Sequence, residues 1–161
     1  MARRVFFSFH FDKDAWRAGQ VRNMGVVEGD KPMSDNDWET VKKGGDKGIE
    51  KWIEGQLNGT SCTIVLVGSE TSTRPWIKYE IKRSWELKKG MFGICIHNLK
   101  NQDGNQSYKG ANPFDNWNIS DKPMSNFVTL YDPPYQDSQS VYNYIKSNIS
   151  SWVETAIAAK S

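Results

Sequence analysis

Residues 61–86 read SCTIVLVGSETSTRPWIKYEIKRSWE, and this stretch decides the fold. Its apolar run at residues 63–67, TIVLV, is typical of a strand that is buried on both faces. A small polar turn at Gly68 and Ser69 follows the run, and Pro75 suits the first position of a helix. The stretch therefore predicts a strand, a turn and a helix in close succession, which is the unit that builds parallel sheets.

The predicted helix carries two neighbouring rows of large side chains. Ile77, Ile81 and Trp85 recur every four residues and predict the face that packs on the core. Trp76 and Glu80 form a second row at the edge of that face. We therefore expect Glu80 at the boundary between the core and solvent.

Two roles are open for Glu80 on this pattern alone. Most glutamates on helices are solvated, and a surface pair with Arg83 or Ser84 of the next turn is the more common arrangement. The other role is chemical, because the helix follows the end of a buried strand, where parallel sheets bind their ligands. The pattern by itself favours the structural role.

Strands and helices alternate along the chain on both sides of this stretch. Apolar runs predict strands at residues 5–9, 26–27, 63–67, 91–97 and 127–131. Helical spacing predicts helices over residues 12–23, 46–57, 75–86 and 141–156, with a helical turn that holds Trp38 and Val41. This alternation predicts one α/β domain over residues 1–161, with a mostly parallel sheet covered by helices on both faces.

Two further segments carry expectations of their own. In the first helix we expect Asp12 or Asp14 to act as the N-terminal cap, and Trp16, Gln20 and Met24 to share one face. The segment at residues 98–126 is rich in Asn, Gly, Asp and Lys and shows no strand or helix pattern. A loop of that length within one domain is usually functional or disordered.

Composition excludes several classes of protein. The formal net charge of the 161 residues is +2, and the basic residues are scattered, so we predict no nucleic-acid partner. No segment is long and apolar enough to cross a membrane, and the N-terminus enters a strand without a secretion signal, so we expect a cytoplasmic protein. The glycine patterns GxGxxG and GxxxxGK[ST] are absent, which disfavours hydride-transfer and ATP-driven chemistry.

Cysteine and histidine positions give no recognised reactive pattern. Cys62 and Cys95 lie among apolar residues, which predicts free buried thiols rather than a nucleophile. His10 and His97 follow predicted strands but lie far apart in sequence, and no cysteine pair accompanies them. Since this spacing matches no known ligand set, we predict no metal site.

The carboxyl ends of parallel strands meet at one edge of a sheet, and ligands bind there. At that edge we expect the pairs of residues that end or follow the predicted strands: Ser8 and His10, Ser69 and Glu70, His97 and Asn98, and Tyr131 and Asp132. The first strand ends in Ser8-Phe9-His10 instead of an acidic pair, which disfavours a phospho-acceptor domain, and no phosphate-binding turn suits a flavin.

Three segments together resemble a known family. VFFSFHFDKDAW at residues 5–16, TSCTIVLVGSETSTRPWIKYEI at 60–81 and IHNLKNQDG at 96–104 are similar to the TIR-like proteins of the bacterial Thoeris antiphage system, the ThsB group. The most specific feature is a strand, a polar turn and a helix in which a tryptophan precedes a glutamate by four residues. In TIR domains that cleave NAD, the catalytic glutamate lies at this place on this helix, which corresponds to Glu80 with Trp76 before it.

The resemblance implies a flavodoxin-like three-layer fold around five parallel strands. It also implies an NAD+ glycohydrolase or ADP-ribosyl cyclase, with NAD+ as the substrate and no further cofactor. Glu80 is then the expected catalytic residue. The substrate-binding residues that we expect at the same edge are Ser8, Phe9, His10, Phe11, Ser69 and Trp76.

For the Thoeris group the resemblance further implies a signalling role. The ADP-ribose portion is cyclised or conjugated into a nucleotide that activates a partner effector protein, and the enzyme is expected to form a homo-oligomer on activation. The alternative is a TIR-like interaction module without catalysis, which signals by homotypic assembly. Under that alternative, exposed tryptophans and the loop at residues 98–126 form the interfaces.

Overall fold

The computed structural model describes residues 3–29 and 40–160, and every structural statement below refers to them. In chain order the strands are β1 (Arg4–Phe9), β2 (Glu28–Gly29), β3 (Cys62–Val67), β4 (Gly90–Cys95), β5 (Asn118–Ile119), β6 (Lys122–Pro123) and β7 (Leu130–Tyr131). The helices are α1 (Phe11–Arg22), α2 (Gly45–Leu57), α3 (Pro75–Glu86) and α4 (Ser138–Ala158). The predicted turn of helix at Trp38 lies partly outside the described residues.

A five-stranded parallel sheet forms the centre of the structure, in the order β2-β1-β3-β4-β7. This is the flavodoxin-like order, in which the chain starts near the middle of the sheet and winds to both sides. The predicted α/β class with a parallel five-stranded sheet is thereby confirmed. Strands β1, β3 and β4 are buried on both faces, as their continuous apolar runs predicted.

Alternate side chains of the central strands pack on opposite layers of helices. Phe7, Ile64 and Leu66 belong to a core cluster with side chains of α1 and α4. Phe6 packs with α2, whereas Val65 and Val67 pack with α3 and the segment after β4. The period of two along each strand thus produces three layers, with the sheet in the middle.

The three residues predicted to share one face of α1 differ in burial, since Trp16 is exposed whereas Met24, just beyond the end of the helix, is buried. The side chain of Trp16 is 56% exposed, while the buried side chains are Asp14, Arg17, Ala18 and Val21. Arg17 Nη1 donates to Asp14 Oδ1 at 3.0 Å, so two buried charges form an ion pair on the inner face. Such a pair looks polar in a sequence pattern, so apolar spacing does not indicate that it is buried.

The start of α1 also differs from the prediction. His10 occupies the N-terminal cap position, and Asp12 and Asp14 lie within the first turn, so neither aspartate is the cap. Carboxylates in the first turn still favour the helix through its dipole.

The two edge strands differ from their predicted ranges: the second strand is displaced, and the last strand is shorter. The second strand pairs at Glu28 and Gly29 rather than at residues 26–27, because its register with β1 joins Arg4 to Glu28. The last strand contains only residues 130–131 of the predicted 127–131. A short helical turn at Met124–Asn126 leads into Phe127 in a helical conformation, so the chain extends only after it.

The segment at residues 98–126 has its own local structure. It contains the antiparallel pair β5–β6 and short helical turns at Pro113–Asn116 and Met124–Asn126. Arg17 fastens the beginning of this segment to α1, since its guanidinium donates to the carbonyls of Leu99 at 2.7 Å and Asn105 at 2.9 Å. Along the described ranges, no helix has both the length and the apolar character needed to span a bilayer.

Both cysteines are free and buried, as predicted. Burial raises the pKa of Cys62 and of Cys95 to about 12. Neither thiol is therefore ionised at neutral pH, which agrees with the expectation that neither is a nucleophile.

Gly90 lets α4 pack directly on β4, and this contact yields a test. An added Cβ would lie 2.8 Å from the backbone nitrogen of Ile157 and 2.9 Å from the carbonyl carbon of Ala156. We expect Gly90→Ala to lower the free energy of unfolding by about 1–3 kcal/mol in urea denaturation, because helix backbone must move.

The matched control is Gly55→Ala on the exposed side of α2, where no described atom lies within 4 Å of an added Cβ. That change should be neutral or should stabilise the protein by roughly 0.5–1 kcal/mol. Equal stabilities for the two variants would contradict the close approach of α4 to β4.

Candidate functional site

Glu80 lies inside the structure rather than at the boundary that the sequence predicted. Glu80 is only 7% exposed, and Ile77 and Ile81 on the same helix are also buried. The hydroxyl of Ser8 on β1 donates to Glu80 Oε1 at 2.5 Å, and Ser8 is fully buried. The carboxylate of α3 is therefore held against the central sheet.

The surface pair that the sequence favoured for Glu80 is replaced by other contacts. Arg83 forms a two-bond ion pair with Glu54 of α2, at 2.7 and 2.8 Å, and a further contact with Glu86. The Ser84 hydroxyl donates to the backbone carbonyl of Glu80 at 2.7 Å. Arg83 thus pairs with Glu54 and Glu86, and Ser84 contacts the main chain of Glu80.

A cavity of about 110 Å³ opens beside Glu80, between α3, the end of β1 and the start of α1. This volume is of the same order as the ~150 Å³ engineered cavity that holds one benzene molecule. Aromatic rings form much of its wall, and its rim carries the exposed residues Asp12, Arg74 and Pro75. A flat ring can enter such a site from solvent.

The structure brings most of the sequence-predicted site residues to this cavity. Its wall includes Phe9, His10, Phe11, Trp76 and Glu80. Ser8 lies directly behind Glu80 through their hydrogen bond.

Ser69 is the exception, because it is not one of the residues that line the cavity. Its backbone is covered by the long loop, since a Cβ on Gly110 would lie 3.0 Å from the Ser69 carbonyl oxygen.

Two arginines and a tryptophan of the cavity wall were not predicted from the sequence. Arg22 from the last turn of α1, Trp52 from α2 and Arg74 before α3 all line the cavity. The guanidinium of Arg22 lies over the rings of Phe7 and Phe9, 5.3 and 5.6 Å from their centroids. Only the position of Arg74 next to Pro75 gave a local signal, whereas Arg22 and Trp52 come from other helices.

His10 is held in its neutral form at neutral pH. Burial lowers the pKa of His10, and the nearby positive charge of Arg74 lowers it further. Asp14 and Asp12 act in the opposite direction but do not reverse the shift. His10 therefore offers a neutral imidazole at the cavity and adds no positive charge.

The arrangement combines a buried carboxylate, aromatic walls and cationic groups. A carboxylate in such surroundings can accept hydrogen bonds from hydroxyl groups and can stabilise a developing positive charge. The rings can stack on a flat ligand, and the arginines can attract its anionic parts. Of the described residues, only Cys95, His97 and Asp132 form a group suited to holding a metal ion, and none of them lines this cavity.

Comparison with known families and proteins gives two matches. Residues 6–101 match the family model described as "Thoeris protein ThsB, TIR-like domain". A curated protein of Bacillus cereus (strain MSX-D12), named "Putative cyclic ADP-D-ribose synthase ThsB1", is 42% identical over 120 residues. That alignment covers 71% of this chain and 62% of the relative, so the chain spans less than two thirds of the relative's length.

The lowered pKa of His10 can be measured directly. In an NMR titration we expect the ring of His10 to have its midpoint below the usual 6.5, and Arg74→Gln to raise that midpoint because one positive charge is removed. Lys82→Gln, at an exposed position of α3, is the control and should leave the midpoint unchanged.

The same shift affects stability. As the pH falls, the unfolded chain takes up the proton before the folded chain does, so the folded state is most stable above pH 6.5, and stability is lost as the pH falls from that value through the lower pKa of His10 in the folded chain. A midpoint at or above 6.5 in the wild-type protein would contradict the description of this cavity.

Proposed function

This chain belongs to the TIR-like domain family of the Thoeris protein ThsB, and from that membership we propose that it is an NAD+-consuming enzyme of antiphage defence. It breaks the bond between nicotinamide and ribose and converts the ADP-ribose portion into a cyclic or conjugated product. The observation that carries the proposal is the buried carboxylate of Glu80 in an aromatic cavity, fixed by Ser8.

One carboxylate is sufficient for this reaction. A glycosidase normally uses a second acidic group to protonate a poor leaving group. Nicotinamide leaves the pyridinium of NAD+ as a neutral molecule, because the bonding electrons neutralise its positive charge. The enzyme therefore needs no general acid for this step, and the neutral His10 beside Glu80 is consistent with that requirement.

Glu80 acts on the ribose in this proposal. Its negative charge stabilises the oxocarbenium-like transition state, and its oxygens accept hydrogen bonds from the ribose hydroxyls. The bond from Ser8 fixes the carboxylate before substrate binds, so little reorganisation accompanies the reaction. Burial strengthens the electrostatic interaction, because little water is present to screen it.

The other residues of the cavity bind and orient NAD+. The cavity has room for one ring, and Trp76, Phe9 and Phe11 offer faces and edges for stacking on nicotinamide. Arg74 at the rim attracts the diphosphate of NAD+. The diphosphate therefore lies outside the part of the cavity that holds the ring. Ser69 lies away from the cavity wall, and its role in substrate binding stays a prediction.

The product depends on which nucleophile reaches the ribose carbon after nicotinamide leaves. Water gives free ADP-ribose, whereas a hydroxyl or the adenine of the same molecule gives a cyclic product. The aromatic wall excludes water and so favours cyclisation. We infer that the product activates an effector protein and that the enzyme assembles into a homo-oligomer when it is activated, as the resemblance to the Thoeris group implies.

A non-catalytic interaction module is the competing function, and one observation favours it. Trp16 on α1 and Tyr108 in the long loop are 56% and 69% exposed, and large exposed aromatic side chains are common at interfaces. Under this alternative, the protein leaves NAD+ intact in every state of assembly.

The proposed function predicts the outcome of Glu80→Gln. The glutamine keeps the shape of the side chain and an oxygen for Ser8 but loses the charge, so NAD+ consumption should fall by roughly 10²-fold or more. The measurement is mass spectrometry of NAD-derived products in lysates of cells expressing the protein, with and without phage infection.

Glu86→Gln is the matched control, because Glu86 lies on the same helix but is exposed and pairs with Arg83. It should keep wild-type turnover. Normal turnover in Glu80→Gln would refute the assignment of Glu80. Unchanged NAD+ in infected wild-type lysate, at a protein concentration that allows assembly, would favour the interaction module.

A further inference from the structure

A second cluster of reactive side chains lies at the ends of β4 and β7, outside the cavity of Glu80. Cys95 is the last residue of β4, His97 follows two residues later, and Asp132 comes directly after β7. The Sγ atom, one ring nitrogen and one carboxylate oxygen of these residues all lie within 4.8 Å of one another. Cys95 and His97 are buried, whereas Asp132 is exposed.

Two buried polar atoms beside this cluster have no hydrogen-bond partner among the described residues. One is Nδ1 of His97, whose residue is only 8% exposed, and the other is Oγ of Ser107. The two residues are neighbours, because the Ser107 backbone nitrogen donates to the His97 carbonyl at 2.8 Å. Buried polar groups nearly always have a partner, so the unpaired Nδ1 of His97, a member of the cluster, points to a group that is bound here.

The donor types at the cluster suit a divalent cation. Lys109 Nζ lies 2.9 Å from Asp132 Oδ2, so an ammonium group from the long loop already occupies one side of the carboxylate. A metal ion that binds here displaces the proton of Cys95, so the thiolate and the carboxylate then bring two negative charges to it and His97 brings a neutral donor. A divalent ion balances those two charges.

We propose that Cys95, His97 and Asp132 bind a divalent transition metal ion, of which zinc is the best match. Thiolate, imidazole and carboxylate are the three kinds of side chain that coordinate zinc, and each residue supplies one. As the ion binds, the Cys95 thiol gives its proton to solvent and the sulfur forms the metal bond. Water completes a tetrahedral set.

The site has a structural consequence for the edge of the sheet. Strand β7 pairs with β4 at only two positions, Gly93 with Leu130 and Ile94 with Tyr131. An ion held by Cys95, His97 and Asp132 joins the two strands beyond these pairs. It therefore stabilises the edge strand without touching the cavity of Glu80.

The test uses the full chain, reduced with a reductant that does not bind metals and freed of metal by a chelator. We expect it to bind one Co²⁺ per chain, with the absorption band of a cobalt–thiolate bond, and Zn²⁺ should displace the Co²⁺. Cys95→Ser should lose the band, and His97→Gln and Asp132→Asn should weaken binding by roughly tenfold or more.

Cys62→Ser is the matched control, because Cys62 is the other buried thiol but lies on β3 outside the cluster. It should keep the band and the affinity. Lys109→Met removes the competing ammonium group and should tighten binding. Asp132 is exposed, so Asp132→Asn tests the site even if the buried variants fail to fold.

Thermal unfolding provides a second measurement. Because the ion binds only the folded chain, added Zn²⁺ should raise the melting temperature of the wild-type protein and of Cys62→Ser. The rise should be much smaller for Asp132→Asn. The proposal is overturned if the wild-type chain binds no metal, or if Cys95→Ser and Asp132→Asn bind it as well as the wild-type chain does. Loss of NAD+ turnover in Glu80→Gln has no bearing on this result.

Discussion

The parallel pairing of β1 with β3 is the constraint on which the rest of the structure depends. Five residue pairs, from Val5 with Cys62 to Phe9 with Leu66, fix the register of the two central strands. This register places Ser8 where α3, which follows β3, presents Glu80. It also brings the start of α1 to the same edge, so that His10 and Phe11 meet the carboxylate at one cavity. A shift of one residue would turn Ser8 to the opposite face of the sheet.

Buried charge on the other side of β1 supports this arrangement. Burial raises the pKa of Asp14, although the hydrogen bond and the charge of Arg17 oppose the shift. Arg17 also binds carbonyls at the beginning of the long loop, and the Asp14 carboxylate lies against Gly68 in the turn after β3. One ion pair thus joins α1, the β3 turn and the loop. Removal of one member would strand the other charge, which is why such pairs specify structure more than they stabilise it.

The Glu80 cavity and the cluster of Cys95, His97 and Asp132 lie at different strands along the same edge of the sheet. Residues of β1, α1, α2 and α3 line the Glu80 cavity, and all of its lining residues lie within the region that matches the ThsB family. The cluster of Cys95, His97 and Asp132 joins that region to β7, which lies beyond the match at residues 6–101. The N-terminal half of the chain therefore carries the proposed chemistry, and the proposed metal would hold the last strand to the matched region.

The sequence by itself determined the order of strands and helices, the parallel sheet and the choice of Glu80 as the candidate residue. The first two features depend on local apolar runs and helical spacing, which are visible within a few residues. Glu80 became the candidate only through the resemblance of three segments to the ThsB group, since the pattern alone favoured a structural role. Only the tertiary structure decided that Glu80 is buried and accepts a hydrogen bond from Ser8, 72 residues away. It also decided that the inner face of α1 buries Asp14 and Arg17. It also brought Asp132 to Cys95 and His97. Periodicity reports which residues favour burial, but it contains no information about which distant side chain each one meets, because that depends on sheet register and packing.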